Sequence, residues 1–125
     1  MKRVLIAEDD PSILLSLEFL LSQAGYEVCT AKNGADALAL AGAEIPDLLV
    51  LDIMLPGIDG FEICRSLRAH PASSGLLILM LTARGREHEV TRGLALGANA
   101  YLTKPFATRE LLRVVRELLG GEPGS

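Results

Sequence analysis

Short apolar runs alternate with longer amphipathic segments along the chain. Two of these runs, Leu-Leu-Val-Leu at 48–51 and Leu-Leu-Ile-Leu-Met-Leu at 76–81, are continuously hydrophobic. Such runs are typical of strands that are covered on both faces, as in a parallel sheet, whereas a strand with one solvated face alternates apolar and polar residues. The pattern predicts five strands, at residues 4–7, 27–31, 48–51, 76–81 and 100–103.

Helix patterns follow each of the predicted strands. Asp10 and Pro11 are favoured types for an N-cap and a first helical residue, and Gly25 is suited to end the helix that they begin. Four similar patterns predict helices at residues 33–41, 59–69, 86–96 and 108–119. Strand and helix thus alternate five times, which indicates an α/β fold: a doubly wound, five-stranded parallel sheet with helices on both faces.

The length of the chain and its hydropathy limit its organisation. The 125 residues suit one domain, which we expect at residues 1–119, while the linker-like residues 120–125 are expected to form a flexible tail or the start of a linker. No apolar stretch is long enough to cross a bilayer, and acidic residues at 8–10 interrupt the first apolar run too early for a signal peptide. We therefore expect a cytoplasmic protein without a membrane partner.

The charge and the cysteine content argue against nucleic-acid binding, a zinc site and a disulfide framework. The formal net charge of −4 provides no basic footprint, so we expect no direct binding of nucleic acid by this domain. Cys29 and Cys64 lie in apolar stretches, outside any CxxC motif or Cys/His cluster. They indicate buried free thiols in a reducing compartment, and neither a zinc site nor a disulfide framework.

The polar residues that follow the predicted strands carry the chemical information. Glu8 and Asp9 follow the first strand, Asp52 the third, Thr82 the fourth and Lys104 the fifth. Taken singly, each has an ordinary interpretation, as a cap, a backbone-bonded hydroxyl or a surface lysine. However, ligands of open α/β sheets bind at the carboxyl ends of the strands, where all five would meet. Their joint placement favours a functional site.

These residue types form a coherent chemical set. Neighbouring carboxylates repel one another unless a cation lies among them, and Mg²⁺ is a hard cation that prefers oxygen ligands. A metal ion and a lysine together would neutralise the charge on a phosphoryl group during its transfer. A carboxylate nucleophile divides such a transfer into two steps through an aspartyl phosphate. The set therefore points to phosphoryl transfer with Mg²⁺.

On these residues the chain resembles the response-regulator receiver family of two-component signal transduction, up to about residue 119. The matching segments are VLIAEDD at 4–10, DLLVLDIMLPGIDG at 47–60, LTA at 81–83 and YLTKPF at 101–106. The resemblance implies a flavodoxin-like (βα)5 fold with strand order 2-1-3-4-5. It also implies a phosphoprotein of a phosphorelay rather than an enzyme with a separate substrate.

The resemblance assigns the phosphoacceptor and the metal ligands. Asp52 would accept the phosphoryl group. Asp9 and Asp52 would bind Mg²⁺ directly, or Mn²⁺ in its place, and Glu8 would bind it through a water molecule. The backbone carbonyl of Met54 would complete the protein ligands.

The resemblance also assigns the residues that bind the phosphoryl group and change conformation. Lys104 would contact the phosphoryl oxygens, and its peptide bond to Pro105 would be cis, an isomer that X-Pro bonds adopt at modest cost. Thr82, with Ala83 beside it, would move to the phosphoryl group. Tyr101 would then rotate inward, as one element of a two-state switch biased by a local change of charge.

The partners follow from the same resemblance. A sensor histidine kinase or a histidine phosphotransfer protein would donate the phosphoryl group, and the face of the fourth helix, fifth strand and fifth helix would contact an output domain or target protein. Winged-helix regulators of the family often carry acidic residues just before the switch tyrosine, where this chain has Asn99 and Ala100. We therefore expect the dimer paired through those charges to be absent, while a phosphorylation-dependent homodimer of another kind remains open.

Three alternatives fit less well. A haloacid-dehalogenase phosphatase needs a second acid two residues after its nucleophile, and Met54 occupies that position. A flavin- or nucleotide-binding module needs a phosphate-cradling loop after the first strand, where this chain has three acids. A degenerate receiver that acts only as a docking surface would need a hidden defect, because all five expected side chains are present.

Overall fold

Parallel pairing joins the strands into one sheet. The computed structural model describes residues 1–86 and 88–120, and all strand bounds below refer to that part of the chain. The sheet has the order β2-β1-β3-β4-β5, so the predicted fold class and strand order are confirmed. The strands are β1 (Arg3–Ala7), β2 (Glu27–Ala31), β3 (Leu48–Asp52), β4 (Leu77–Ala83) and β5 (Ala100–Lys104).

The helices lie where the sequence predicts them, with differences at their ends. They are α1 (Pro11–Gln23), α2 (Gly34–Ala43), α3 (Gly60–Ala69), α4 (His88–Ala95) and α5 (Thr108–Leu119), with a short 3-10 helix at Pro71–Ser73 that was not predicted. Asn33 and Asp59 precede α2 and α3 as N-caps, because each has extended backbone and its side chain accepts a hydrogen bond from the helix. Asp10 caps α1 as predicted.

Gly120 ends α5 in the left-handed conformation, and the rest of the predicted tail, residues 121–125, lies outside the described residues. Among the helices of the described residues, none is long and apolar enough to cross a membrane.

Both faces of the sheet are covered, which explains the continuous apolar runs. Every residue of β3 is buried. Leu49 and Leu51 contribute to the core on the side of α2 and α3, and Leu48 and Val50 contribute to the core on the side of α1 and α5. Each fully buried aliphatic side chain of this kind stabilises the fold by roughly 1.5–3 kcal/mol. The doubly covered centre of the sheet therefore holds the ends of its strands in fixed positions.

The start of α3 passes very close to the end of β3. The backbone N–H of Gly60 donates to the carbonyl of Ile53 at 3.0 Å. A Cβ atom at Gly60 would lie 2.7 Å from Ile53 Cα, a backbone atom that has no room to move aside. Glycine at this position therefore lets the loop after Asp52 close tightly.

We predict that Gly60→Ala lowers the free energy of unfolding by about 1–3 kcal/mol, because the added methyl group overpacks the loop. Gly42→Ala is the matched control, since Gly42 also lies in a helix but an added Cβ would meet nothing within 4 Å. The control should raise stability by about 0.4–1 kcal/mol through the unfolded chain. Urea unfolding measures both, and equal effects of the two substitutions would contradict the close approach.

Candidate functional site

Three carboxylates meet at the carboxyl end of the sheet. Glu8 and Asp9 directly follow β1, and Asp52 ends β3, the neighbouring strand. One carboxylate oxygen of each residue lies within 4.8 Å of the others. Glu8 is fully buried, at 0% exposure, and Asp52 is nearly so, whereas Asp9 is exposed. The cluster is therefore open to solvent on the side of Asp9.

Lys104 reaches this cluster from the far edge of the sheet. Its Nζ atom lies 2.6 Å from Glu8 Oε1 and 3.3 Å from Asp52 Oδ2. The Lys104–Pro105 peptide bond is cis, the isomer that the resemblance implied. The sequence indicated that a lysine would lie at this edge, but nothing in it indicated that Glu8 would be its closest partner.

The crowding of charges changes the titration of the site. Burial raises the pKa of the Glu8 carboxyl above its usual value and the charge of Asp52 adds to the rise, while the hydrogen bond from Lys104 opposes it. Burial alone would lower the pKa of the Lys104 ammonium, but its hydrogen bond to Glu8 and the charges of Asp52 and Glu8 raise it above its usual value. Lys104 therefore remains a cation at neutral pH.

Asp52 has a different partner on each of its oxygens. Oδ1 accepts a hydrogen bond from the backbone N–H of Met54 at 3.0 Å, and Oδ2 faces the ammonium of Lys104. The Met54 side chain points away from the core and is 55% exposed. The carboxylate is thus oriented by one backbone donor and one cation.

The hydroxyl candidate, Thr82, lies on β4, and the aromatic candidate, Tyr101, lies on β5. Thr82 is buried in β4, and its hydroxyl donates to the backbone carbonyl of Arg86 at 3.4 Å. Ala83, the last residue of β4, is half-buried and pairs in register with Lys104. Tyr101 in β5 is 46% exposed, so its ring lies outward. A hydrogen bond to the local backbone is the ordinary interpretation that the sequence allowed for Thr82, but the sequence did not identify the Arg86 carbonyl as its partner.

The donor set fits a hard divalent cation. Glu8, Asp9 and Asp52 offer only oxygen atoms, and the exposed carboxylate of Asp9 leaves room for water ligands. Mg²⁺ prefers such a set, because it binds a few carboxylates and retains several waters. The acidic cluster could therefore hold the ion that the sequence predicts.

The sequence model of the family described as "Response regulator receiver domain" matches residues 4–116. This chain belongs to that family. Over 118 residues the receiver domain is 45% identical to the alkaline phosphatase synthesis transcriptional regulatory protein PhoP of Bacillus subtilis (strain 168), covering 94% of this chain and 48% of that protein. It thus spans about half the length of this curated relative.

Solved structures of other receivers superpose on this receiver domain. The chemotaxis response regulator CheY4 of Vibrio cholerae has a TM-score of 0.89 and 35% identity, with 94% of this chain and 98% of that chain covered. The receiver domain of the sensor histidine kinase PA1611 of Pseudomonas aeruginosa PAO1 has a TM-score of 0.88 and 31% identity, with coverage of 96% and 98%. That neighbour holds a magnesium ion coordinated in its active site cleft.

We predict that Asp52→Asn raises the free energy of unfolding of the metal-free domain by on the order of 1 kcal/mol. The substitution removes one of three crowded carboxylates but keeps an acceptor for the Met54 N–H, and Lys104 keeps its closer partner, Glu8. Urea unfolding in EDTA measures this change, and added Mg²⁺ should stabilise the parent more than the variant. A loss of stability in EDTA would mean that attraction between Lys104 and Asp52 outweighs the repulsion.

Proposed function

We propose that Asp52 is the phosphoacceptor of this receiver domain and takes its phosphoryl group from a phosphohistidine on a sensor histidine kinase or a histidine phosphotransfer protein. The observation that carries the proposal is the surroundings of the Asp52 carboxylate. It lies 3.3 Å from Lys104 Nζ and within 4.8 Å of carboxylate oxygens of Glu8 and Asp9. A nucleophile beside a fixed cation and a cation-binding cluster is the combination that phosphoryl transfer to an aspartate requires.

In the proposed reaction, a carboxylate oxygen of Asp52 forms a bond to phosphorus while the bond from phosphorus to the donor imidazole nitrogen breaks. The electron pair of the broken bond stays on that nitrogen, and a ring protonated on its other nitrogen leaves as neutral imidazole. Lys104 is already fixed beside Asp52 by its bond to Glu8. Its ammonium neutralises charge on the phosphoryl oxygens without first having to be ordered.

The proposed ligands of Mg²⁺ are Glu8, Asp9, Asp52 and the backbone carbonyl of Met54, with Glu8 binding through a water molecule. When bound, the ion offsets the negative charge that gathers between the carboxylates and the phosphoryl group. Mn²⁺ prefers the same oxygen ligands and should substitute for it. The hydrogen bond from the Met54 N–H to Asp52 supports this assignment, because it holds the turn that carries the Met54 carbonyl close to the cluster.

Thr82, Ala83 and Tyr101 are the proposed switch. Thr82 and Ala83 would contact the phosphoryl oxygens, and Tyr101 would rotate from its outward position into the space that the movement of Thr82 leaves. The exposure of Tyr101 supports this proposal, because the ring is free to change rotamer. The altered face of α4, β5 and α5 would then contact an output domain or a separate target protein.

We extend the proposal to partners and location. The domain would act in the cytoplasm without binding nucleic acid itself, and residues 1–119 would form the folded unit. The charge-paired dimer is disfavoured because Asn99, at one of the positions that would carry an acid, is hydrogen-bonded within the domain. Asn99 Oδ1 accepts hydrogen bonds from the Ile78 N–H at 2.8 Å and from Arg68 Nη2 at 2.9 Å. A phosphorylation-dependent homodimer would need other contacts.

We predict that incubation with acetyl phosphate and Mg²⁺ adds one phosphoryl group to the parent protein and none to Asp52→Asn. The amide of the variant is nearly isosteric with the carboxylate but cannot act as the nucleophile. Intact-mass spectrometry with and without Mg²⁺ measures the gain.

Asp36→Asn serves as the matched control, because Asp36 is an exposed carboxylate in the first turn of α2, outside the acidic cluster. It should be phosphorylated like the parent. A gain of mass in Asp52→Asn would assign the acceptor to another residue, and no gain in any protein would favour a receiver that acts only by docking.

A further inference from the structure

The carbonyl that holds the Thr82 hydroxyl has a second hydrogen bond. The backbone oxygen of Arg86 accepts from the Thr82 hydroxyl at 3.4 Å and from the backbone N–H of Glu89 at 2.9 Å. The N–H of Arg86 in turn donates to the carbonyl of Ala83 at 3.0 Å. Arg86 is thus fixed at three points, between the end of β4 and the first turn of α4.

The side chains of Arg86 and Glu89 tie the same segment together. Arg86 Nε donates to Glu89 Oε1 at 2.9 Å, and Arg86 Nη2 donates to Oε2 at 2.8 Å. Both oxygens of the carboxylate are therefore engaged by one guanidinium, the geometry of the stronger arginine–carboxylate pairs. The Glu89 side chain is only 13% exposed, and the hydrogen bond from Arg86 lowers the pKa of its carboxyl. The Arg86 side chain is 44% exposed, so the pair is partly open to solvent.

We propose that Arg86 and Glu89 form a latch that positions the Arg86 carbonyl and so keeps the Thr82 hydroxyl in the unphosphorylated arrangement. The inference rests on the proposed function of Asp52 and Thr82 and adds two positioning residues to it. Neither side chain touches the phosphoryl group. They set how easily the domain takes up its phosphorylated conformation.

The Thr82 hydroxyl has a single proton to donate. Thr82 donates it either to the Arg86 carbonyl or to a phosphoryl oxygen, and not to both. Contacts that fix the Arg86 carbonyl therefore stabilise the first arrangement at the expense of the second, and their removal shifts the population toward the second. An ion pair of partial exposure would shift this equilibrium by about two- to five-fold.

The experiment measures binding of beryllofluoride, an unreactive phosphoryl mimic, in the presence of Mg²⁺. Arg86→Ala and Glu89→Gln should each bind it about two- to five-fold more tightly than the parent, because each weakens the latch. The reversed pair, Arg86→Glu with Glu89→Arg, restores the attraction and should return affinity toward that of the parent. The rate of phosphorylation by acetyl phosphate should change in the same direction.

The matched control is Arg65→Ala, which breaks an ion pair of the same i,i+3 spacing with Glu62 on α3, outside the face of α4, β5 and α5. It should leave beryllofluoride affinity unchanged. In a Thr82→Ala background, the latch substitutions should also lose their effect, because no hydroxyl remains to be released. A general loosening of α4 would instead act equally with or without the hydroxyl.

Three outcomes distinguish failure of the proposed function from failure of the latch. Failure of the parent to bind beryllofluoride and to accept phosphate would overturn the proposed function itself. Binding by the parent, with equal or weaker binding by both single variants, would overturn the latch alone. Tighter binding that persists in Thr82→Ala would also overturn the latch. Urea unfolding verifies that each variant is folded, and Arg86→Lys, which keeps the charge but not the two-pronged contact, replaces Arg86→Ala if that variant is not.

Discussion

The ion pair between Lys104 and Glu8 is the interaction on which the rest of the site depends. It joins the ends of β5 and β1, two strands that are separated in the sheet by β3 and β4. Glu8 is fully buried, and a buried carboxylate without a partner is strongly destabilising. The fold therefore has to bring β5 close enough for Lys104 to reach across the sheet. Asp52 lies between the two in strand order, and its Oδ2 is 3.3 Å from the Lys104 ammonium.

Most of the fold could be predicted because burial on both faces leaves a strong local pattern. The apolar run of β3 is buried at every position, and the capping residues Asp10, Asn33 and Asp59 are of types that favour helix starts. The order of the strands follows partly from the family resemblance, since the pattern alone does not determine it. The short 3-10 helix was missed, because three residues leave no periodic pattern; its Ser73 hydroxyl donates to the carbonyl of Leu67 at the end of α3.

The site could be predicted as a set of residues but not as a set of contacts. Each candidate follows a strand end, and a parallel sheet gathers its strand ends at one edge. The partner of a side chain depends on rotamers and on backbone atoms, which residue types do not encode. Lys104 and Glu8 are 96 positions apart, and the Thr82 hydroxyl bonds a main-chain carbonyl. Arg86, where α4 was predicted to begin, lies outside the helix for the same reason, because its N–H donates to the Ala83 carbonyl in the preceding turn.

Under the proposed function, the charged part of the site and the part that contains Thr82 and Tyr101 differ in how far they are arranged before a phosphoryl group arrives. The charged half is complete: Lys104 is held by two carboxylates, and Asp52 is oriented by the Met54 N–H. The other half is not, because the Thr82 hydroxyl is bonded to Arg86 and Tyr101 lies outward. A metal ion alone neutralises carboxylates but offers no acceptor to a hydroxyl, so it acts on the first half only. A phosphoryl oxygen is such an acceptor. If Asp52 is the acceptor as proposed, phosphorylation interacts differently with the two arrangements of the Thr82 hydroxyl, whereas metal binding does not, and only such a difference can shift a conformational equilibrium.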